Sequence, residues 1–150
     1  MISLTTFGQS NQKVYKSFSD TTFEKGDKIL GPQISFTLSG SRILSEYNDS
    51  IKVIADFLKK HSNIQIEIGG HTDSRGAASG NLKISEYRAE AVKQELIQTF
   101  GIKPERIESK GYGESNPIIL DEQIQEADSE EEKEMLYSKN RRIELVILNV

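Results

Sequence analysis

The sequence predicts an α+β fold in the order β-α-β-α-β-(helix or loop)-β. About four strands form a small mixed sheet, with the helices packed on one of its faces. Three observations predict it. Short segments at 34–38, 64–68, 107–110 and 143–148 read as strands, most of them alternating apolar with polar residues. Two longer segments space their apolar residues by three and four, as a helix face does. Gly, Pro and Ser punctuate the boundaries between them.

Residues 11–33 are polar and show no sustained period, and Glu24-Lys25-Gly26-Asp27 and Gly31-Pro32 read as turns. Ile34, Phe36 and Leu38 alternate with polar residues and predict a short half-buried strand. Ser41 is placed to cap the following helix, whose stripe is Leu44, Tyr47, Ile51, Ile54 and Leu58. That helix ends near Lys59-Lys60-His61, where cations suit the C-terminal end of the dipole. Ile64, Ile66 and Ile68 predict a second strand that ends at Gly69-Gly70, and a polar loop runs from His71 to Gly80.

The second helix is predicted from about Asn81 to Phe100, with Leu82, Ala89, Val92, Leu96 and Phe100 as its apolar stripe. Gly101 supplies the left-handed stop and Pro104 prevents resumption. Ile107 to Lys110 is the third strand and leads into Gly111-Tyr112-Gly113. Residues 121–134 hold eight acids and one lysine; Met135, Leu136 and Tyr137 offer a way to dock this stretch as a surface helix. The last strand runs from Ile143 to Leu148, with Ile143, Leu145 and Ile147 on one face.

At 150 residues, 35% apolar and 28% charged, the chain fits one domain with its own core. No apolar run is long enough to cross a bilayer as a helix. The absence of cysteine excludes disulfides, thiolate zinc sites and a cysteine nucleophile. A net charge of −4 argues against nucleic acid as a partner, because such affinity comes mostly from neutralising phosphates. The first ten residues lack a basic region and sufficient apolar length for a complete signal peptide. They read either as the fading end of a longer secretory signal or as a frayed N-terminus. Residues 1–30 are therefore expected to be a signal remnant or flexible lead-in, and 31–150 the domain, with an acidic insertion at about 118–139.

Three polar clusters stand out: Gly70-His71-Thr72-Asp73, the run from Asn81 to Arg88, and Asn140-Arg141-Arg142. The first lies in the loop after a buried strand, a common place for ligand contacts. Asn81, Ser85 and Arg88 share one helix face, with Asn81 as a candidate N-cap. A second register starts the helix at Ser85 and puts Arg88 in the first turn, where a cation opposes the dipole and suggests an incoming anion. Arg141 presents a second guanidinium from another element. Arg142, its neighbour in an extended chain, is expected to point the other way as a surface or structural charge. Asp73 by itself reads equally as a turn cap, and Arg88 as its ion-pair partner in the empty state. His71 reads as a hydrogen-bonded loop residue, since His71 and Asp73 do not complete a metal shell. Gly111-Tyr112-Gly113 lacks the lysine and serine of a phosphate loop and reads as a turn with a packing tyrosine.

The ordered set Gly70-His71-Thr72-Asp73, Gly76, Asn81, Ile84-Ser85, Arg88-Ala89, Val92, Leu96, Gly101-Ile102, Arg106-Ile107, Gly111-Tyr112-Gly113-Glu114, Pro117-Ile118 and Asn140-Arg141-Arg142-Ile143-Glu144 resembles the OmpA C-terminal-like family of peptidoglycan-binding domains. That family includes the peptidoglycan-associated lipoproteins and the flagellar MotB-type proteins. The resemblance runs from Ile34-Ser35-Phe36 to the final strand. It departs from the family between Pro117 and Asn140, where the connector is longer and more acidic.

The resemblance implies an OmpA-like sandwich that binds the stem peptide of peptidoglycan at meso-diaminopimelate. It implies that Asp73 takes the ammonium and Arg88 the carboxylate of that side chain. Asn81 and Arg141 would add contacts, and the backbone around Thr72 and Asp73 would complete the cradle. L-lysine in that position lacks the carboxylate and would strand Arg88. The implied protein needs no cofactor or metal. It sits in the periplasm against the cell wall and is tied to the outer membrane through a partner or an N-terminal segment. A second reading is an interaction scaffold on the same fold, docking another envelope protein through the acidic stretch. An enzyme is not expected: the histidines are His61 and His71, and no Ser-His-Asp or zinc set converges in the motifs.

Overall fold

The computed structural model describes residues 14–37 and 42–150. Among the described residues four strands form one sheet: β1 (Lys28–Leu30), β2 (Gln65–His71), β3 (Ile107–Gly113) and β4 (Ile143–Asn149). Their order is β1-β4-β2-β3. β2 and β3 run parallel, while β4 lies antiparallel to both β1 and β2. The helices are α1 (Asn48–Lys60), α2 (Ala78–Gln98), α3 (Asp121–Gln125) and α4 (Glu130–Asn140). The α+β class and the mixed sheet expected from the sequence are therefore present.

Ile66 and Ile68 of β2, Ile107 of β3, and Ile143, Leu145 and Ile147 of β4 share the core with Ile51, Ile54 and Leu58 of α1 and Ala89, Val92 and Leu96 of α2. This is the period-2 face of the strands meeting the period-3.6 stripe of the helices. Gly101 ends α2 at φ +70°, as the sequence predicts.

The structure corrects several boundaries. Of the residues 34–38 read as a strand, the described 34–37 contribute an isolated bridge between Phe36 and Ile43, while Leu38 and Ser41 lie outside the described residues. The edge strand is instead Lys28–Leu30, upstream of residue 31. It turns only Ile29 fully inward, too short a pattern to register as alternation. Residues 14–27 also pack. Phe18 and Phe23 meet the Phe57 ring edge-on at 5.6 and 5.2 Å, and the Tyr15 hydroxyl donates to Glu144 at 2.6 Å.

α2 starts at Ala78, so Asn81 is not its N-cap, the helix does not begin at Ser85, and Arg88 stands in mid-helix. Leu82 is 44% exposed and falls off the apolar stripe. Asn81 and Ser85 take the buried places instead, because α2 approaches β2 and β3 too closely for a large side chain there. Gly70 and Gly111 are paired across β2 and β3, and both face Ser85. A Cβ on Gly70 would overlap the Ser85 carbonyl oxygen, and one on Gly111 would come within 2.6 Å of Ser85 Oγ.

The acidic stretch folds as two short helices. Ser129 caps α4 by accepting from the Glu132 amide at 3.1 Å, and Glu130, Glu131 and Glu132 fill the first turn, where the dipole favours them. Ile124 is buried, whereas Met135, expected to help dock the stretch, is exposed.

Candidate functional site

β2 delivers Asp73 just beyond its end, where Asn81 fixes the loop. Asn81 Nδ2 donates to the carbonyls of Asp73 at 3.3 Å and Arg75 at 3.0 Å. The Thr72 amide donates to the Gly113 carbonyl, and the Gly113 amide to Ser85 Oγ, so the loops after β2 and β3 are fastened to the same turn of α2. Asn81 and Ser85 thus hold the frame of the site, a role that one helix face in the sequence could only suggest.

The buried carboxylate of Asp73 meets two guanidiniums. Arg75 Nε lies 3.2 Å from Oδ1 and Arg75 Nη2 lies 2.8 Å from Oδ2. The Arg75 amide donates to Oδ1 at 3.0 Å, and Arg141 Nη1 donates to Oδ2 at 2.8 Å. Burial works against ionisation of Asp73, but the bonds from Arg75 and Arg141 outweigh it and hold the carboxyl below its ordinary range. Glu134 of α4 closes a ring: Oε2 accepts from Arg75 Nη1 at 2.8 Å and Oε1 from Arg141 Nη2 at 2.7 Å. Arg75 also lies over the Tyr137 ring, 4.3 Å from its centre.

Arg88 is not the ion-pair partner of Asp73 in this state, which corrects that expectation. Its guanidinium stands 5.4 Å from the centre of the Phe36 ring, and its buried Nε has no hydrogen-bond partner among the described residues. Burial lowers its pKa, repulsion from Arg141 adds to that, and the charge of Asp73 opposes both. Arg88 and Asp73 therefore share a field, with Arg141 bonded to one and repelling the other.

Arg88 and Arg141 open onto a cavity of about 570 Å³ between residues 30–36 and the α4–β4 junction. Lys139, Arg142 and His71 also line it, and among the described residues no carboxylate does. Asp73 is not among the lining residues; it is bonded to Arg141, which is. Thr72 is buried, and its hydroxyl has no partner among the described residues.

Arg142 is structural, as its alternation with Arg141 predicts. It is buried and donates from Nε and Nη2 to Glu144 Oε2 at 3.1 and 3.0 Å. Glu144 also meets Tyr15 and, at 3.2 Å, Lys28. Burial alone would raise its pKa; the Tyr15 bond and the charges of Arg142, His71 and Lys28 bring it down to about 2. His71 stacks on Tyr112, ring centres 5.0 Å apart, so it belongs to the packed wall. Among the described residues no group of His and acidic side chains is arranged to hold a metal.

Sequence reasoning missed Arg75, Glu134 and Lys139. Arg75 carried a signal, since an arginine two residues after a loop aspartate can fold back on it. Glu134 and Lys139 carried none, because the path of α4 across the site is a tertiary fact.

The OmpA family profile matches residues 35–131. A peptidoglycan-associated lipoprotein from Buchnera aphidicola is 34% identical over 139 residues, covering 93% of this chain and 69% of that protein. Outer membrane porin F of Pseudomonas aeruginosa is 36% identical over 85 residues, 57% of this chain but only 24% of the porin. The cell wall anchor of the T6SS from Pseudomonas aeruginosa superposes with a TM-score of 0.61 at 26% identity, covering 82% of this chain and 80% of that one. With the family profile covering most of the domain and a relative aligned along nearly the whole chain, the protein belongs to the OmpA family.

Proposed function

We propose that this chain is a non-catalytic peptidoglycan-binding domain that ties the outer membrane, or a complex of the envelope, to the cell wall. The observation that carries the reading is Arg88: a half-buried guanidinium without an ion-pair partner among the described residues, on the wall of a cavity that also presents Lys139 and Arg141. A desolvated, unpaired cation is unfavourable in the empty protein, and a ligand carboxylate relieves it. Relatives named for peptidoglycan association and for wall anchoring supply a carboxylate-bearing polymer as the natural partner.

The finer part of the proposal is the ligand's identity. The stem-peptide residue meso-diaminopimelate ends in an adjacent ammonium and carboxylate. Arg88 takes the carboxylate in the cavity, with Arg141 beside it. Asp73 takes the ammonium, and the backbone at Thr72 and the framing amide of Asn81 keep the loop in place. Charge-assisted bonds of this kind contribute roughly 1.5–3 kcal/mol each. An L-lysine side chain offers the ammonium alone and leaves Arg88 without its anion. The corresponding location is the periplasm, against the wall, with attachment to the outer membrane through a partner or a further segment.

The test is co-sedimentation with purified sacculi, joined to calorimetric titration with free meso-diaminopimelate and with L-lysine. The wild-type chain is expected to bind sacculi and to prefer meso-diaminopimelate, and Arg88→Ala to lose both while still folded. Sedimentation of Arg88→Ala at the wild-type level would overturn the assignment.

A further inference from the structure

We infer that Arg75 is an intramolecular competitor of the ligand: its guanidinium occupies the position on Asp73 that a ligand ammonium must take. The inference rests on the reading of Asp73 as the ammonium acceptor.

A carboxylate has about four acceptor directions. Asp73 receives four donors from its own chain: the Arg75 amide and Nε on Oδ1, and Arg75 Nη2 and Arg141 Nη1 on Oδ2. Its acceptor capacity is full, so an incoming ammonium must displace one of them. The amide belongs to the loop backbone and cannot leave without refolding the turn. Arg141 stands at the junction of α4 and β4 and lines the cavity in which the ligand carboxylate is received. Its departure would withdraw a cation from the anion it helps to hold.

Arg75 alone can leave without such a loss. Its side chain is 49% exposed, so water can solvate the departing charge. Its other partners, Glu134 Oε2 and the face of Tyr137, lie on α4 and stay in place when the bond to Asp73 breaks. The arginine therefore has somewhere to go. Both of those partners belong to the acidic stretch between Pro117 and Asn140. That stretch thus brings with it the groups that hold a competing cation at the site.

The apparent affinity is reduced by the fraction of molecules in which Arg75 has left Asp73. An engaged fraction near nine-tenths would weaken binding by about tenfold. Arg75 lowers the affinity for any ammonium ligand alike, while the choice between meso-diaminopimelate and lysine stays with Arg88.

The experiment is calorimetric titration of the full chain with meso-diaminopimelate, with folding checked by circular dichroism. Arg75→Gln is expected to bind about tenfold more tightly than wild type. Arg75→Lys keeps the charge but loses the two-pronged fork, and should fall between them. Asp73→Ala should abolish binding. Arg75→Gln and Arg75→Lys binding no tighter than wild type, with no binding by Asp73→Ala, would overturn the competitor and leave the ligand reading intact. Asp73→Ala binding like wild type would overturn the ligand reading, and the competitor with it. No binding by wild type or by Arg75→Gln would likewise end both.

Discussion

Arg141 Nη1 lies 2.8 Å from Asp73 Oδ2, so the junction of α4 and β4 and a loop 68 residues earlier share one charge-assisted hydrogen bond. The bond ties two sequence motifs into one site. Arg88 faces the same field from α2 but makes no bond of its own to the carboxylate. The empty site thus has a paired half around Asp73 and an unpaired half around Arg88, and the two halves respond differently to substitution.

Arg88→Met should stabilise the fold while abolishing wall binding. A half-buried guanidinium whose buried Nε donates no hydrogen bond among the described residues carries a desolvation cost, and an apolar chain of similar length keeps the contact with Phe36. The expected gain is about 1 kcal/mol in urea unfolding, with sacculus binding lost. A destabilised Arg88→Met would show that the charge is satisfied in the empty protein.

Acid should unfold the wild type over the range in which Glu144 protonates. Its folded pKa of about 2 lies below the ordinary 4.5, so the group stabilises the fold at neutral pH. That contribution is complete above the unfolded value and is lost as pH falls from 4.5 towards 2. Asp73, also held low, acts in the same direction. Glu144→Gln strands buried Arg142 and should cost about 3–5 kcal/mol at pH 7, with a flatter acid limb. Urea midpoints measured from pH 7 to pH 2 test both parts; parallel pH profiles for the two proteins would contradict the assignment.

Two glycines should behave oppositely. Gly70→Ala pushes a methyl into the Ser85 carbonyl and should cost about 3 kcal/mol by forcing α2 away from the sheet. Gly80→Ala places its methyl in open space within α2 and should stabilise by about 0.5–1 kcal/mol. Thermal melts of the two variants decide the point, and a neutral Gly70→Ala would argue against the close packing.

Asn81→Ala should lower wall binding without touching any charge. The amide joins α2 to the carbonyls of Asp73 and Arg75, and its loss should cost about 1–2 kcal/mol of stability. Amide exchange in residues 73–77 should accelerate while exchange in the β2 core stays slow. Uniform acceleration would point to global rather than local loosening.

Taken element by element, the sequence determined what could be read from periodicity and punctuation. Ile66 and Ile68 alternate, Ile51, Ile54 and Leu58 recur on a helical stripe, and Gly101 stops α2. Those signals are local, because burial on one side imposes a period on the chain itself. β1 was not legible, since three residues with one buried isoleucine carry no period, and its strand identity comes from pairing with β4. Asn81 looked like a cap because its residue type suits one; tertiary packing started α2 earlier and turned that side chain onto the β2 loop. Asp73, Arg88 and Arg141 were nameable from their motifs, but which of them pair was not. That was decided by α4, which brings Glu134 and Tyr137 across the site and gives Arg75 its position. Ion pairing depends on distances between elements far apart in the chain, and only the folded arrangement sets those distances.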